Sequence, residues 1–194
     1  MKKRLSVILA SILILALMGN AFAYTTGDDY PNKNSCTGCH SIENGDDHND
    51  YNDRYFYYRQ CTDFCAWCLR TRNGVSGFYN RYGGVNWGNA KNWKSAAESL
   101  GIPCNGTPAV GAIACWTGGK WGHVAWVEAV NGSSVIIEEY NGVNAYAYAR
   151  RDISSDPPTC YIHIQDIVKT GTLDVNFLVN GKEIVDITGI GTFE

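Results

Sequence analysis

After its first 18 residues the chain has no apolar run that approaches the roughly 20 residues a membrane helix needs, so no second segment is suited to spanning a bilayer. It has no basic stripe either, with 16 Lys and Arg against 19 Asp and Glu, and this argues against a nucleic-acid partner, which would require phosphate neutralisation. Both methionines fall at or before position 18, which removes the commonest partner ligand for a haem in the rest of the chain. Residues 24–50 contain hardly an aliphatic side chain and cannot bury enough apolar surface to fold alone.

What is present begins with an export signal. Lys2, Lys3 and Arg4 precede an apolar run from Leu5 to Met18, and Ala21-Phe22-Ala23 forms a small-x-small cleavage site, so residues 1–23 read as a secretory signal peptide and the protein as secreted, extracellular or wall-associated. Its removal leaves 13 basic and 19 acidic residues, a formal charge of −6. The remainder divides by composition into a polar, cysteine-containing arm over 24–50, a single dense domain over 51–166, and a β segment over 167–194. In the last, Leu173, Val175, Phe177 and Val179 alternate, Asn180-Gly181 turns, and the pattern resumes at Ile184, as in a hairpin.

Within 51–166 the periodicity changes from helical to strand-like. Phe64, Cys65, Cys68 and Leu69 lie at helical spacing after Cys61, and Asn73-Gly74 ends the pattern; a second helix is capped by Asn89, carries Ala90, Trp93, Ala96, Ala97 and Leu100, and stops at Gly101. Val110–Trp116 reads as a buried strand, and 123–130 with 135–140 as a hairpin around Asn131-Gly132. Helices followed by antiparallel strands predict an α+β domain.

Cys61 is therefore expected at a helix N-terminus, where the unpaired N–H groups and the dipole favour a thiolate. His123 follows on a strand, and then come Glu138, Glu139 and Asn141; cysteine, histidine and carboxylate in that order suggest a thiol hydrolase. A three-residue hairpin loop would pair Val130 with Ser134, set Ala125 opposite Glu139 and His123 opposite Asn141, and so place both polar residues on the histidine's face. A two-residue loop would shift the register by one and turn Glu139 away.

Several ordered stretches then resemble the CHAP domain, the cysteine- and histidine-dependent amidohydrolase/peptidase family. They are Gln60-Cys61-Thr62, the run from Asn86 to Trp93 that leads into a helix, Thr107 to Ala114, and Gly122 to Glu128. The resemblance implies a papain-like α+β fold, with N-terminal helices packed on an antiparallel sheet, and cleavage of amide bonds in peptidoglycan as substrate. It puts the nucleophile on Cys61, the histidine on His123 and the third member on Glu139, with Asn141 as a further member. The backbone N–H of Cys61 and the side chain of Gln60 are the oxyanion donors, and Trp121 is a candidate to line a glycan groove. The competing reading is a non-catalytic or weakly active wall-binding module.

No cofactor is expected to be required. The alternatives are calcium at Asp50, Asp53 and Asp63, which lack an ordered Asp-x-Asp-x-Asp-Gly loop, and zinc at Cys36, Cys39, Cys65 and Cys68. Cys36-Thr37-Gly38-Cys39-His40 also fits the haem attachment pattern. Disulfides tying the arm to the Cys65/Cys68 helix are the reading preferred over metal or haem.

Overall fold

The computed structural model describes residues 27–37, 56–168, 170–179 and 182–192, the last two as backbone only. The signal segment, most of the polar arm, Cys39, Asp50 and Asp53 lie outside these.

Helix α1 spans Cys61–Thr71 and begins when the N–H of Phe64 reaches the carbonyl of Gln60 at 3.0 Å. Phe64, Cys65, Cys68 and Leu69 are fully buried, so the apolar periodicity is the packing face. It ends where the N–H groups of Arg72 and Asn73 both fold back to the carbonyl of Cys68. The second helical segment starts as a 3₁₀ turn over Ala90–Asn92 and continues as α2, Trp93–Ser99.

Eight strands follow: β1 Cys104–Asn105, β2 Ile113–Trp116, β3 His123–Asn131, β4 Ser134–Tyr140, β5 Tyr148–Asp152, β6 Cys160–Ile162, β7 Thr170–Val179 and β8 Lys182–Thr192. The first six form one antiparallel sheet in the order β1-β6-β2-β3-β4-β5. Among the described residues β7 and β8 pair only with each other, as the C-terminal hairpin expected from the alternation. The architecture is the α+β, papain-like one, with helix α1 packed against an antiparallel sheet.

The expected strand 110–116 is shorter than its apolar run. Residues 110–112 form a turn in which the N–H of Ala112 returns to the carbonyl of Ala109 at 3.1 Å, and pairing starts at Ile113. A main core of Phe64, Trp87, Trp93, Ile113, Val124, Trp126 and Tyr140 fills the helix side of the sheet, and a smaller one of Ala114, Ala125, Val127 and Ile137 covers the other face.

The polar arm is more closely integrated than its composition suggests. Tyr30 is fully buried in the main core, packs edge-on against Phe64 and Trp67 and tilted against Tyr140, and donates its hydroxyl to Asp63. Asp28 accepts from the Tyr140 hydroxyl at 2.9 Å, and Asp29 pairs with Arg72 at 2.5 Å. One aromatic anchor and two carboxylates thus fasten a segment that has no core of its own.

Candidate active site

Cys61 is the first residue of α1, 9% exposed, and its N–H lies in the first turn, where no helical acceptor reaches it. His123 is the first residue of β3, opposite Trp116 in the ladder. It is brought against the start of the second helical segment by Gly122, which has a φ of 72° and at which a Cβ would run into the backbone of Lys91. The close approach is held by the hydrogen bond from the Lys91 N–H to the carbonyl of Trp121, 2.9 Å. Only glycine fits there.

The imidazole shares a cleft with Cys61, which acts on it electrostatically, and its Nε2 lies 2.8 Å from Oε2 of Glu139. Glu139 is fully buried and further anchored by Arg151, whose Nε donates to Oε1 at 3.0 Å and Nη2 to Oε2 at 3.3 Å, and by the N–H of Val143 at 3.2 Å. The loop after β4 presses on it so closely that a Cβ at Gly142 would overlap the carboxylate. A thiol and a ring therefore stand together in one cleft, with the ring hydrogen-bonded to a carboxylate that a guanidinium holds.

The charges in that group support one another. Burial disfavours a charged ring, but Cys61 and the hydrogen-bonded Glu139 outweigh it and raise His123 from its ordinary 6.5 to about 9. Burial would likewise raise Glu139, yet the donors on His123 and Arg151 bring it down to about 2. Near neutrality the site is built to hold an imidazolium between a sulfur and a carboxylate.

The β3–β4 register departs from expectation in an informative way. The turn is the two-residue one, Gly132-Ser133, with Asn131 paired to Ser134 and Val130 to Val135. That register alone would turn Glu139 to the helix side, but a bulge between Val127 and Ala129 inserts Glu128 as an extra residue, after which Val127 pairs with Ile137 and Trp126 with Glu138. The pairing expected from a three-residue loop is thereby restored. The extra residue carries a carboxylate that Arg150 clasps through Nε at 2.5 Å and Nη2 at 3.0 Å. Glu138 points to the helix side, fully buried, and pairs with Arg72 at 3.2 Å.

Asn141 does not touch His123. Its Nδ2 donates to Oε1 of Gln60 at 2.6 Å, its Oδ1 accepts from the N–H of Tyr146 at 2.9 Å, and its φ is 51°. The link fixes the Gln60 amide with its oxygen turned to Asn141. A cleft of about 470 Å³ is lined by Tyr57, Gln60, Cys61, Trp121, His123 and Asn141; Trp121 is 55% exposed, with Lys120 Nζ 4.8 Å from its ring centre. On the other side of His123 a depression of about 340 Å³ is bounded by Trp116, Val143, Arg151 and Asp156.

The metal alternatives fare differently. Asp63 is 1% exposed and accepts from Tyr30 in the interior. Cys65 and Cys68 are free, fully buried thiols in the main core, where they act as small apolar side chains, so the expected cross-link from the arm to this helix is not made. Cys36 is disulfide-bonded, and its partner is none of the six free cysteines between 61 and 160. Among the described residues no group of three or more His, Cys, Asp or Glu is placed to hold a metal ion.

Sequence reasoning missed Arg151 and Arg72. The signal available was the Arg150-Arg151 pair on a strand, where alternation must send one guanidinium to each face.

Residues 49–141 match the CHAP domain family. The staphylococcal secretory antigen SsaA of Staphylococcus aureus (strain NCTC 8325 / PS 47) is 48% identical over 80 residues, covering 40% of this chain and 31% of that protein. SsaA of Staphylococcus epidermidis is 42% identical over 83 residues, covering 42% of this chain and 32% of that one. The chain thus spans about a third of the length of these relatives. A solved N-acetylmuramoyl-L-alanine amidase from Staphylococcus aureus superposes with a TM-score of 0.44 at 26% identity, covering 63% of this chain and 37% of that one.

Proposed function

Starting from the membership of residues 49–141 in the CHAP domain family, we propose that this chain is an exported cysteine hydrolase that cleaves amide bonds of bacterial peptidoglycan, either as an N-acetylmuramoyl-L-alanine amidase or as an endopeptidase. The observation that carries the reading is that Cys61 and His123 line one open cleft and that the His123 ring is hydrogen-bonded to the buried Glu139. Export rests on the signal-like residues 1–23 and on the relatives being named secretory antigens.

In the first half-reaction the Cys61 sulfur attacks the amide carbonyl while His123 holds the thiol's proton as imidazolium, and the charge that forms on the carbonyl oxygen is met by the Cys61 N–H and the Gln60 amide. His123 then gives its proton to the leaving amine, which breaks the C–N bond and leaves a thioester. Water, deprotonated by the now neutral His123, attacks that thioester and returns the thiol. Glu139 keeps the ring's orientation throughout and stabilises its charge. Trp121 offers an exposed aromatic face to a sugar or stem-peptide group bound in the cleft.

Cys61→Ser, assayed on purified cell walls by turbidity, is expected to abolish clearing while the circular dichroism spectrum stays unchanged, because the hydroxyl lacks the thiolate route. Mass spectrometry of the released fragments identifies the bond: free muramoyl carboxyl groups report an amidase, and new peptide N-termini within stem or bridge report an endopeptidase. Clearing by Cys61→Ser at the wild-type rate would overturn the assignment.

A further inference from the structure

Three thiols that the active site does not use meet at the β1-β6-β2 edge of the sheet. Cys115 in β2 and Cys160 in β6 are direct partners across the antiparallel ladder. Cys104 in β1 lies opposite Ile162, and since residues 160 and 162 share a face, Cys104 is turned to the same side as Cys160. All three are free; Cys115 is fully buried, Cys160 is 3% exposed and Cys104 is half-buried. Cys160 interacts electrostatically with both of the others. The cluster is closed from above by the second helical segment: Cys115 Sγ donates to the carbonyl of Ala90 at 3.7 Å, and Cys104 Sγ to that of Lys94 at 3.9 Å.

The spacing favours one bond. Residues directly opposite in an antiparallel pair have Cα atoms about 4.5–5.5 Å apart, inside the roughly 4.4–6.8 Å that a disulfide accepts. Cys104 and Cys160 are diagonal neighbours, at about 7–8 Å, at or beyond that limit. We propose that the three cysteines form a thiol–disulfide exchange site, in which Cys115 and Cys160 close a cross-strand disulfide and Cys104 is the sulfur through which an external dialkyl disulfide reaches them.

The exchange balances in three displacements. The Cys104 thiolate attacks one sulfur of the external disulfide, forming a mixed disulfide and releasing one external thiolate, which takes up the proton that Cys104 lost. Cys160 attacks the Cys104 sulfur and expels the second external thiolate, which takes the Cys160 proton. Cys115 attacks the Cys160 sulfur and returns Cys104 as a thiol with the proton that Cys115 gives up. Two protein thiols have lost two electrons and two protons, and one external disulfide has become two thiols. Cys160 suits the central place, because it lies directly across the ladder from Cys115 and on the same side as Cys104, and the nearby Cys115 and Lys94 lower its pKa against the opposing effect of burial. Burial and the neighbouring Cys160 hold Cys104 near 11, which makes entry the slow step.

The bond would enclose residues 116–159, which contain His123, Glu139 and Arg151, and would fix β2, whose Trp116 pairs with His123.

The test uses the full chain carrying Cys61→Ser, so that the nucleophile's own oxidation does not contribute. After equilibration with oxidised glutathione, alkylation and non-reducing peptide mapping, the expected product is a Cys115–Cys160 cross-linked peptide with Cys104 alkylated, and a Tm several degrees above that of the reduced form. Adding Cys104→Ser is expected to slow closure at least tenfold and to leave the final pair the same. Adding Cys115→Ser is expected to trap either a Cys104–Cys160 bond or a glutathione adduct on Cys104, and this variant keeps the entry route testable should Cys104→Ser fail to fold. Three thiols unchanged after equilibration, or an equilibrium bond that includes Cys104, would overturn the proposal. Closure of Cys104→Ser at the unmodified rate would overturn the role of Cys104.

Discussion

Trp126 stands opposite Glu138 across β3 and β4, one place from the Glu139 that a two-residue turn without a bulge would put there. The inserted Glu128 thus decides which of two adjacent carboxylates meets the histidine: Glu139 goes to His123 and Arg151, and Glu138 goes to Arg72 under the indole of Trp126, with the guanidinium 4.6 Å from the ring centre.

The two positions are expected to fail differently. Glu139→Gln should lower kcat by about 10²-fold or more, since the ring loses both its orienting partner and the charge that stabilises the imidazolium, and its Tm should fall most where both partners are charged. Glu138→Gln should leave kcat near wild type and lower stability by about 3–5 kcal/mol, because Arg72 is left as an underpaired buried cation. Paired wall-clearing kinetics and thermal melts check this, and a larger kcat loss for Glu138→Gln would contradict the bulge register.

Arg151 holds Glu139 through two hydrogen bonds and is proposed as a positioning residue. Arg151→Gln is expected to lower kcat about tenfold with KM nearly constant, and Arg151→Lys to recover part of the loss. The readout specific to positioning is the acid limb of the pH profile, which should move to higher pH in Arg151→Gln as Glu139 holds its charge less firmly. A change confined to KM would place Arg151 on the substrate instead.

The His123–Glu139 pair also sets a pH window for stability. His123 is raised from 6.5 to about 9, so its contribution is fully present below 6.5 and is lost as pH rises through about 9. Glu139 is lowered from 4.5 to about 2, so its contribution is fully present above 4.5 and is lost as pH falls towards 2. The pair therefore stabilises most between 4.5 and 6.5. Catalysis should decline through about 9, where His123 no longer holds the proton for the leaving amine. Melting curves across pH for the wild type and Glu139→Gln test the window: the difference between them should be largest inside it and shrink at either end, and parallel curves would refute it.

Tyr30 gives a separate prediction about the arm. Tyr30→Ala is expected to cost about 3–5 kcal/mol, by loss of a fully buried aromatic and of the donor to Asp63. Reduction of disulfides should not reproduce this loss, since Cys65 and Cys68 have no bond to lose. Thermal melts of the variant and of the reduced wild type distinguish the two sources of stability.

How much of this was legible beforehand follows from the range of the interactions. Both helices, their stops and the β3–β4 hairpin are local patterns, and they read correctly because apolar period and breaker residues lie within a few positions of one another. The catalytic pairing was reachable only through an assumed odd loop; the true device, a bulge at Glu128, is invisible to alternation because Arg150, which clasps it, comes from another strand. β1, β5 and β6 are two, five and three residues long and carry too little periodicity to be recognised. The burial of Tyr30 could not be inferred from a stretch whose composition reads as solvated, since its partners Asp63, Phe64 and Tyr140 are all distant in sequence.

That distance has a consequence for the order in which the protein is made. Asp28 waits for the hydroxyl of Tyr140, 112 positions later, and Tyr30 for the same ring. A chain that emerges with its N-terminus first cannot close this part of its interior until residue 140 has appeared, by which point His123 and Glu139 are also out. A nascent fragment that displays Cys61 alone has neither its proposed base nor its packed surroundings, so the proposed site is assembled only when nearly the whole domain has been synthesised.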